Sequence, residues 1–442
     1  MAKLTFYLML FASLLGYILT GYFTERSNFS LLISLYSTLF IIYFLLLNNK
    51  NLFNFKVLLA AGILFRFCLI FSTPALSDDF YRFVWDGRIQ ELGFNPFDYS
   101  PRELLTHSND LFLNQLFPLL NSPDYFSVYP QFCQILFRIA AFIGQDNLYL
   151  NIITLKAMIF LSELGTIYLL HRLLILRKKD PSLLLIYALN PLVIIELTGN
   201  IHFEAFMISF TLLSILLLFN QKLSASAAAL ALAIQAKILP LLAIPLLLRQ
   251  IALKKTVLWA IIVLIVLLLM SIDLLSEPQR MQHIGESLNL YYGKFEFNGG
   301  LYLIFRSIGW WIMAYNPIAI ISKLLIFLSL AAMLYVYLTE KDLISGLFWV
   351  LCIYLLFGAV VHPWYLAPLL ALSIFLRYRF VLLWSALIPL SYFTYKVMPY
   401  SENYWLIGIE YVLVLAYLLW EIKVKKAEIQ KTEAINYELI AK

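Results

Sequence analysis

The chain has 442 residues, of which 62% are hydrophobic and only 13% charged. That is far more apolar side chain than a water-soluble fold can bury, so a soluble enzyme is excluded and an integral membrane protein is expected. The formal charge of +6 comes mainly from clusters at the ends of apolar runs, Arg177-Lys178-Lys179, Lys254-Lys255 and Lys423 to Lys426, which mark orientation in a bilayer and not nucleic-acid binding.

In chain order, the first apolar run, 4–22, has only Lys3 before it and no small-residue cleavage site behind it, so it reads as a retained helix. Further spans are predicted over 29–48, 56–73, 149–176, 183–199, 202–219, 257–275, 318–338, 343–360, 363–376, 380–397 and 404–422. The run 223–248 is interrupted by Lys237 and Pro240 and reads as two half-helices in preference to one tilted span. Segments 130–145 and 301–312 carry Gln134, Arg138 and Arg306 inside their apolar runs, and are expected to lie along the membrane or dip into it. The cysteines, Cys68, Cys133 and Cys352, are scattered and suggest neither a disulfide framework nor a metal site.

With the N-terminus inside, the basic residues of 48–56, 177–180, 249–255, 377–379 and the tail after Trp420 all fall on the cytoplasmic side. The expected fold is therefore all-α and polytopic, with about 12 to 14 crossings and amphipathic helices in the outer loops. Residues 1–50 read as two additional helices, 51–425 as the main transmembrane unit and 426–442 as a cytoplasmic tail. The long loops 74–129 and 276–300, and the junctions 199–202, 361–364 and 398–404, would then share the outer face. Such a concentration of polar residues at one face predicts a membrane-embedded site opening outward.

The first of these loops opens with SDDFYRFVWDGR, residues 77–88. With Ser77 as a cap, Asp78 and Asp79 lie in the first turn of a helix, where its dipole favours carboxylates. Phe80, Phe83, Val84 and Gly87 share one stripe of that helix, and Asp79, Arg82 and Asp86 another, which predicts an amphipathic helix on the outer surface. Pairing with Arg82 and Arg88 accounts for Asp86. It accounts less well for two adjacent aspartates, which differ by about 100° around the helix, so that one can enter a cavity while its neighbour caps or pairs. One poised carboxylate is what a general base requires.

SDDFYRFVWDGR, followed by GFNPFDYSP, resembles the first outer loop of GT-C-type membrane glycosyltransferases, and is most similar to the bacterial enzymes that use a polyprenyl-phosphate sugar, usually mannose. ALNPLVIIELTGNIHFEAFM (188–207), ALAIQAKILPLLAIPLLL (231–248) and HPWYLAPLLAL (362–372) follow in the family's order. The likeness runs from about Phe55 to the last helix, so the two helices before Asn51 read as an addition. It implies a GT-C-like catalytic domain in the bacterial cytoplasmic membrane with its site facing outward. It also implies a polyprenyl-phosphate sugar donor, a glycan, glycolipid or protein acceptor, inversion at the anomeric carbon, and an acidic residue of the first loop as base. On this chain that residue is Asp78 or Asp79.

Lys237 is the strongest candidate for the donor phosphate, because a lone ammonium in an apolar run costs several kcal/mol unless paired or hydrated. Snorkelling is its structural alternative. His362, heading HPWY, could meet phosphate or a sugar hydroxyl, while the neighbouring Trp364 and Tyr365 suit an aromatic belt. Asn200, His202 and Glu204 stand in a tight turn with Glu196 one turn deeper, a spacing that suits hydroxyl binding and is too sparse for a metal ligand set. Tyr291, Tyr292, Lys294, Glu296 and Asn298, with Tyr395, Lys396 and Tyr400, supply aromatic and polar groups near the outer loops. Arg82 and Tyr365 complete the candidate substrate contacts. Glu163, in LSELGT, calls for a buried partner, Lys156 or Arg66. No cofactor is implied. The rival readings are a transferase for another lipid-linked sugar, a flippase or transporter, and a polysaccharide polymerase.

Overall fold

The computed structural model describes the backbone of residues 2–50, 53–315, 317–376 and 378–440; the side chains of residues 2, 290–294, 319 and 426–440 lie outside the described set. The protein is an all-α, polytopic membrane protein. Helices α1 (Ala2–Phe23) and α2 (Phe29–Asn48) form a hairpin whose turn is closed by Asn28, its side chain accepting from the Leu31 amide. They are followed by α3 (Phe55–Leu69), α4 (Asp79–Glu91), α5 (Gln131–Gly144) and α6 (Leu148–Leu176). Then come α7 (Glu204–Phe219), α8 (Leu223–Ala236), α9 (Leu253–Met270) and α10 (Pro278–Lys294). The last part holds α11 (Gly300–Met313), α12 (Ile318–Thr339), α13 (Leu343–Phe357), α14 (Ala367–Ser373), α15 (Phe380–Leu387) and α16 (Tyr404–Ile440).

Among the described residues, six helices are long and apolar enough to cross a membrane, or seven if the bent pair Pro181–Ala188 and Pro191–Gly199 counts as one span. The other expected crossings are short helices or helices in pieces, and the causes are in the sequence. Pro191 removes an amide donor, and Asn190 caps the new start by accepting from Leu192 and Val193, so the chain bends by 53° there. Segments 131–144 and 300–313, expected to lie along or dip into the membrane, are 14-residue helices. At about 1.5 Å per residue they reach only about 21 Å, short of a hydrocarbon core.

Buried ions tie the early helices together. The fully buried Arg66 of α3 donates to Glu163 of α6 at 3.0 Å and to the carbonyls of Gly62 and Ala188 at 3.0 and 2.5 Å. Tyr187 Oη completes the Glu163 site at 2.7 Å. Glu163 therefore takes Arg66, while Lys156 serves elsewhere, crossing the C-terminus of α3 to the carbonyls of Leu69 and Ser72 at 2.9 and 2.6 Å. A cation at the negative end of a helix is favourable placement.

Helix α4 departs from its expected surface position. Phe80, Phe83, Val84 and Gly87 are buried as the stripe requires, but so are Arg82, Trp85 and Asp86 on other faces. One side is covered by α5, which approaches so closely that a Cβ on Gly87 would lie 2.2 Å from the Phe137 carbonyl oxygen. Phe83 stacks on Phe137 at 4.8 Å there. The other side is covered by the chain around residues 121–127, which folds over Arg82 and Asp86.

The two long loops meet. Asn95 donates to Asp273 at 2.6 Å, Arg280 pairs with Asp98 at 2.6 Å, and His283 Nδ1 lies 2.8 Å from the Phe97 carbonyl with Phe126 stacked on its ring at 3.7 Å. Loops 74–129 and 276–300 therefore form one roof on a common face.

Candidate active site

Beneath the roof, the start of α4 separates the two adjacent aspartates. Asn200 fixes the approach: its Oδ1 accepts from the amides of Ala75 and Leu76 at 3.2 and 2.9 Å, and its Nδ2 donates to the Ile195 carbonyl at 2.9 Å. Asp78 sits at the N-cap without a side-chain cap bond and pairs with Arg26 from the α1–α2 connection. Arg26 also donates to Tyr400 Oη at 3.0 Å and lies over the Tyr395 ring at 4.6 Å. Asp79, the first residue of α4, accepts instead from Asn121 Nδ2 at 2.9 Å and makes no ion pair with the described residues.

Arg82 and Asn200, expected among the substrate contacts, have their polar groups committed within the fold. Arg82, 4% exposed, donates to Asp86 at 2.7 Å and to the Tyr125 carbonyl at 2.8 Å. Asp86 also accepts from Ser127 and Gln134 at 2.5 and 3.0 Å. These bonds clasp the first loop onto α4.

A second cluster forms where the 223–248 run breaks. Helix α8 ends at Ala236, Lys237 is extended, and a short 3-10 turn, Leu239–Ala243, restarts at Pro240, so two half-helices are present as expected. The break turns the Lys237 ammonium to the buried Glu204 at the start of α7, with the Tyr365 ring 4.2 Å from Nζ. Trp364 is sandwiched between His202 at 3.7 Å and His362 at 4.3 Å, and His362 meets Tyr365 edge-on at 5.3 Å. His202 Nε2 faces the fully buried Glu196 at 3.5 Å, and the other carboxylate oxygen of Glu196 accepts from Tyr36 and Tyr392 at 2.8 and 2.7 Å. His202 Nε2, Glu196 Oε2 and His362 Nδ1 are buried without a hydrogen-bond partner among the described residues, polar atoms that an incoming ligand can satisfy. Burial, reinforced by His202 and Lys237, holds the His362 imidazole well below the usual histidine range.

The clusters join through the second long loop. Phe297 exchanges backbone bonds with Ala359 and Val361 at 3.0 and 2.8 Å, which stacks its ring on His362 at 4.5 Å and brings it within 6.0 Å of Tyr395. Contacts therefore run from Arg26 through Tyr395, Phe297, His362 and Tyr365 to Lys237. Burial raises the Glu402 carboxyl, although the Asn298 amide donates to it. The side chains of Tyr291, Tyr292 and Lys294 lie outside the described residues.

The chain on from Glu204, Lys237 and Tyr365 helps to wall an apolar cleft, through Met207 and Thr211 of α7, Leu239 and Pro240, and Pro368 of α14; Leu347 of α13 also lines it. Lys237 is close along the chain to Leu239 and Pro240 of that lining.

The chain matches the family described as alpha-(1->6)-mannopyranosyltransferase, N-terminal domain, over residues 15–253. It belongs to this mannosyltransferase family. No curated protein matches the chain. The family match agrees with the resemblance carried by the sequence motifs, and it starts inside α1, where the motif likeness began only near Phe55.

Sequence reasoning about this mannosyltransferase missed Arg26, Tyr36, Asn121 and Tyr392. Arg26 had a signal: it is an arginine in a connection expected on the outer side, where the positive-inside rule leaves few. Tyr36 and Tyr392 had none, because a tyrosine in an apolar helix is unremarkable until a buried carboxylate faces it. Residues of 188–207, 231–248 and 362–372 come together in the structure: Lys237 pairs with Glu204 and lies by Tyr365, and Trp364 stacks on His202.

Proposed function

We propose that this mannosyltransferase moves mannose from a polyprenyl phosphate to a sugar hydroxyl of an acceptor outside the cytoplasm, with inversion and with Asp79 as general base. The observation that carries the reading is a cationic group, Lys237, close along the chain to Leu239 and Pro240 in the lining of an apolar cleft; Asp79, which makes no ion pair with the described residues, is the candidate base. The cleft takes isoprenoid units, which are apolar throughout. Lys237, with His362 beside it, meets the phosphate.

In the reaction, Asp79 accepts the acceptor's hydroxyl proton as that oxygen attacks the anomeric carbon from the side opposite the phosphate. The new carbon–oxygen bond forms while the bond to the phosphate oxygen breaks, and the lipid phosphate departs with the electron pair. A phosphate leaves readily without protonation, so charge stabilisation by Lys237 and a hydrogen bond from neutral His362 replace a general acid. A positioned base contributes about 10²- to 10⁴-fold and a preorganised donor about 10²- to 10³-fold. Inversion to the alpha linkage of the family description requires the beta configuration in the donor.

Purified protein in lipid nanodiscs, given radiolabelled beta-mannosyl polyprenyl phosphate and an alpha-(1->6)-linked mannobiose, should form a labelled trisaccharide. Asp79→Asn should reduce turnover by about 10²- to 10⁴-fold with the fold intact. Wild-type turnover in a folded Asp79→Asn protein would remove Asp79 from the mechanism, and transfer from the alpha-configured donor would remove inversion.

A further inference from the structure

The α1–α2 connection supplies a guanidinium to the edge of the site, and the mechanism above leaves it unused. Arg26 pairs with Asp78, lies over Tyr395 at 4.6 Å and donates to Tyr400 Oη at 3.0 Å. Its side chain is 21% exposed and that of Asp78 is 34% exposed, so the pair is only partly screened by solvent. Asp79 is the next residue along the chain, and two adjacent carboxylates repel each other's ionised forms.

We propose that Arg26 is a positioning residue that balances the charge of Asp78, so that Asp79 ionises beside a pair of no net charge and takes the proton. The inference rests on Asp79 being the base, as proposed above. The pair presents Asp79 with no net charge, where an unpaired Asp78 would hold back its ionisation. Among the described residues, the other titratable and charged groups nearby include Tyr81 of α4, Tyr129 and Tyr395, whose phenols burial pushes up, Tyr400, which accepts from Arg26, and the internally paired Arg82 and Asp86. None of them substitutes for the guanidinium. Tyr395 and Tyr400 hold it in place, which makes the connection between the two N-terminal helices a structural neighbour of the chemistry.

The consequence is a pattern of opposite shifts. Arg26→Gln leaves Asp78 charged and unpaired, so the acid limb of the pH–kcat profile should move up by about one pH unit, a loss of about tenfold in rate at pH values below the limb. Asp78→Asn leaves Arg26 unpaired and should move the limb down by a similar amount. In Arg26→Gln/Asp78→Asn both charges are gone, and the limb should return to its wild-type position. A purely structural role for Arg26 cannot produce opposite signs in the single variants and cancellation in the double.

The experiment measures these profiles on full-length protein in nanodiscs with beta-mannosyl polyprenyl phosphate and alpha-(1->6)-linked mannobiose. Arg26→Lys keeps the charge and must keep the wild-type limb, and it carries the test with Asp78→Asn should Arg26→Gln fail to fold. Limbs that stay fixed, or that move in the same direction in both single variants, overturn the inference. If Asp79→Asn abolishes turnover while the limbs stay fixed, only the role of Arg26 falls. If folded Asp79→Asn turns over normally, the base assignment falls first.

Discussion

Replacing Lys237 separates two consequences that the structure predicts together. The ammonium is paired with Glu204, whose side chain is only 4% exposed, so Lys237→Met strands a buried carboxylate. Breaking one side of a buried pair costs about 3 to 5 kcal/mol, and the 34% exposure of the Lys237 side chain moves the expectation to the lower end of that range. Removing both charges, in Lys237→Met/Glu204→Gln, should recover most of this stability. Donor recognition should not recover. An ammonium about 4 Å from a phosphate at an effective dielectric constant of about 20 contributes about 4 kcal/mol before desolvation, and about half of that remains after its cost. Both Lys237 variants should therefore lose about 30-fold in kcat/KM for the lipid donor. Thermal midpoints in detergent report the first effect and initial rates over a donor series the second. A double variant with restored midpoint and kcat/KM within about twofold of wild type would refute the assignment of Lys237 to the donor phosphate.

Two further outcomes follow from buried ionisable groups. Glu163→Gln leaves Arg66 charged and unpaired in a fully buried site, so it should destabilise the protein by about 3 to 5 kcal/mol; a thermal midpoint unchanged from wild type would contradict the pairing. For His362, burial and the neighbouring His202 and Lys237 depress the folded-state value, while the unfolded chain titrates near its ordinary value of about 6.5. Between those two values the unfolded state binds more protons, so stability rises with pH in that window and falls as pH drops below about 6.5. His362→Asn should flatten the acid side of the midpoint-against-pH curve, and an unchanged slope would show that another group sets it.

Much of this architecture was legible in the sequence because a bilayer punishes polar groups in apolar runs. Lys237 and Pro240 inside 231–248 announced a broken helix, and the break is there. Glu163 called for a cation, and Arg66 meets it. The number of full-length helices was less legible. Hydropathy registers an apolar run, whereas Asn190 and Pro191 redirect the backbone within one without lowering its apolar content. The burial of Arg82 and Asp86 was also hidden, because the chain that covers them belongs to a polar loop some 40 residues on. At the site, residue types and motif order brought His202, Glu204, Lys237, His362 and Tyr365 into one frame. The difference between Asp78 and Asp79 depends on Arg26 and Asn121, partners distant in sequence that no local pattern encodes.

Glu196 gives a different view of the N-terminal hairpin. One of its oxygens receives two phenols, Tyr36 from α2 and Tyr392 from the segment before α16, while the other is turned toward His202. A chain beginning near residue 51 would lose one of those phenols and expose the carboxylate to lipid or to a crevice open to water. Truncation at that point would open a fully buried carboxylate site. For anyone designing a minimal catalytic unit, the first two helices belong with the part to be kept, and a tag placed ahead of them is safer than a cut made behind them.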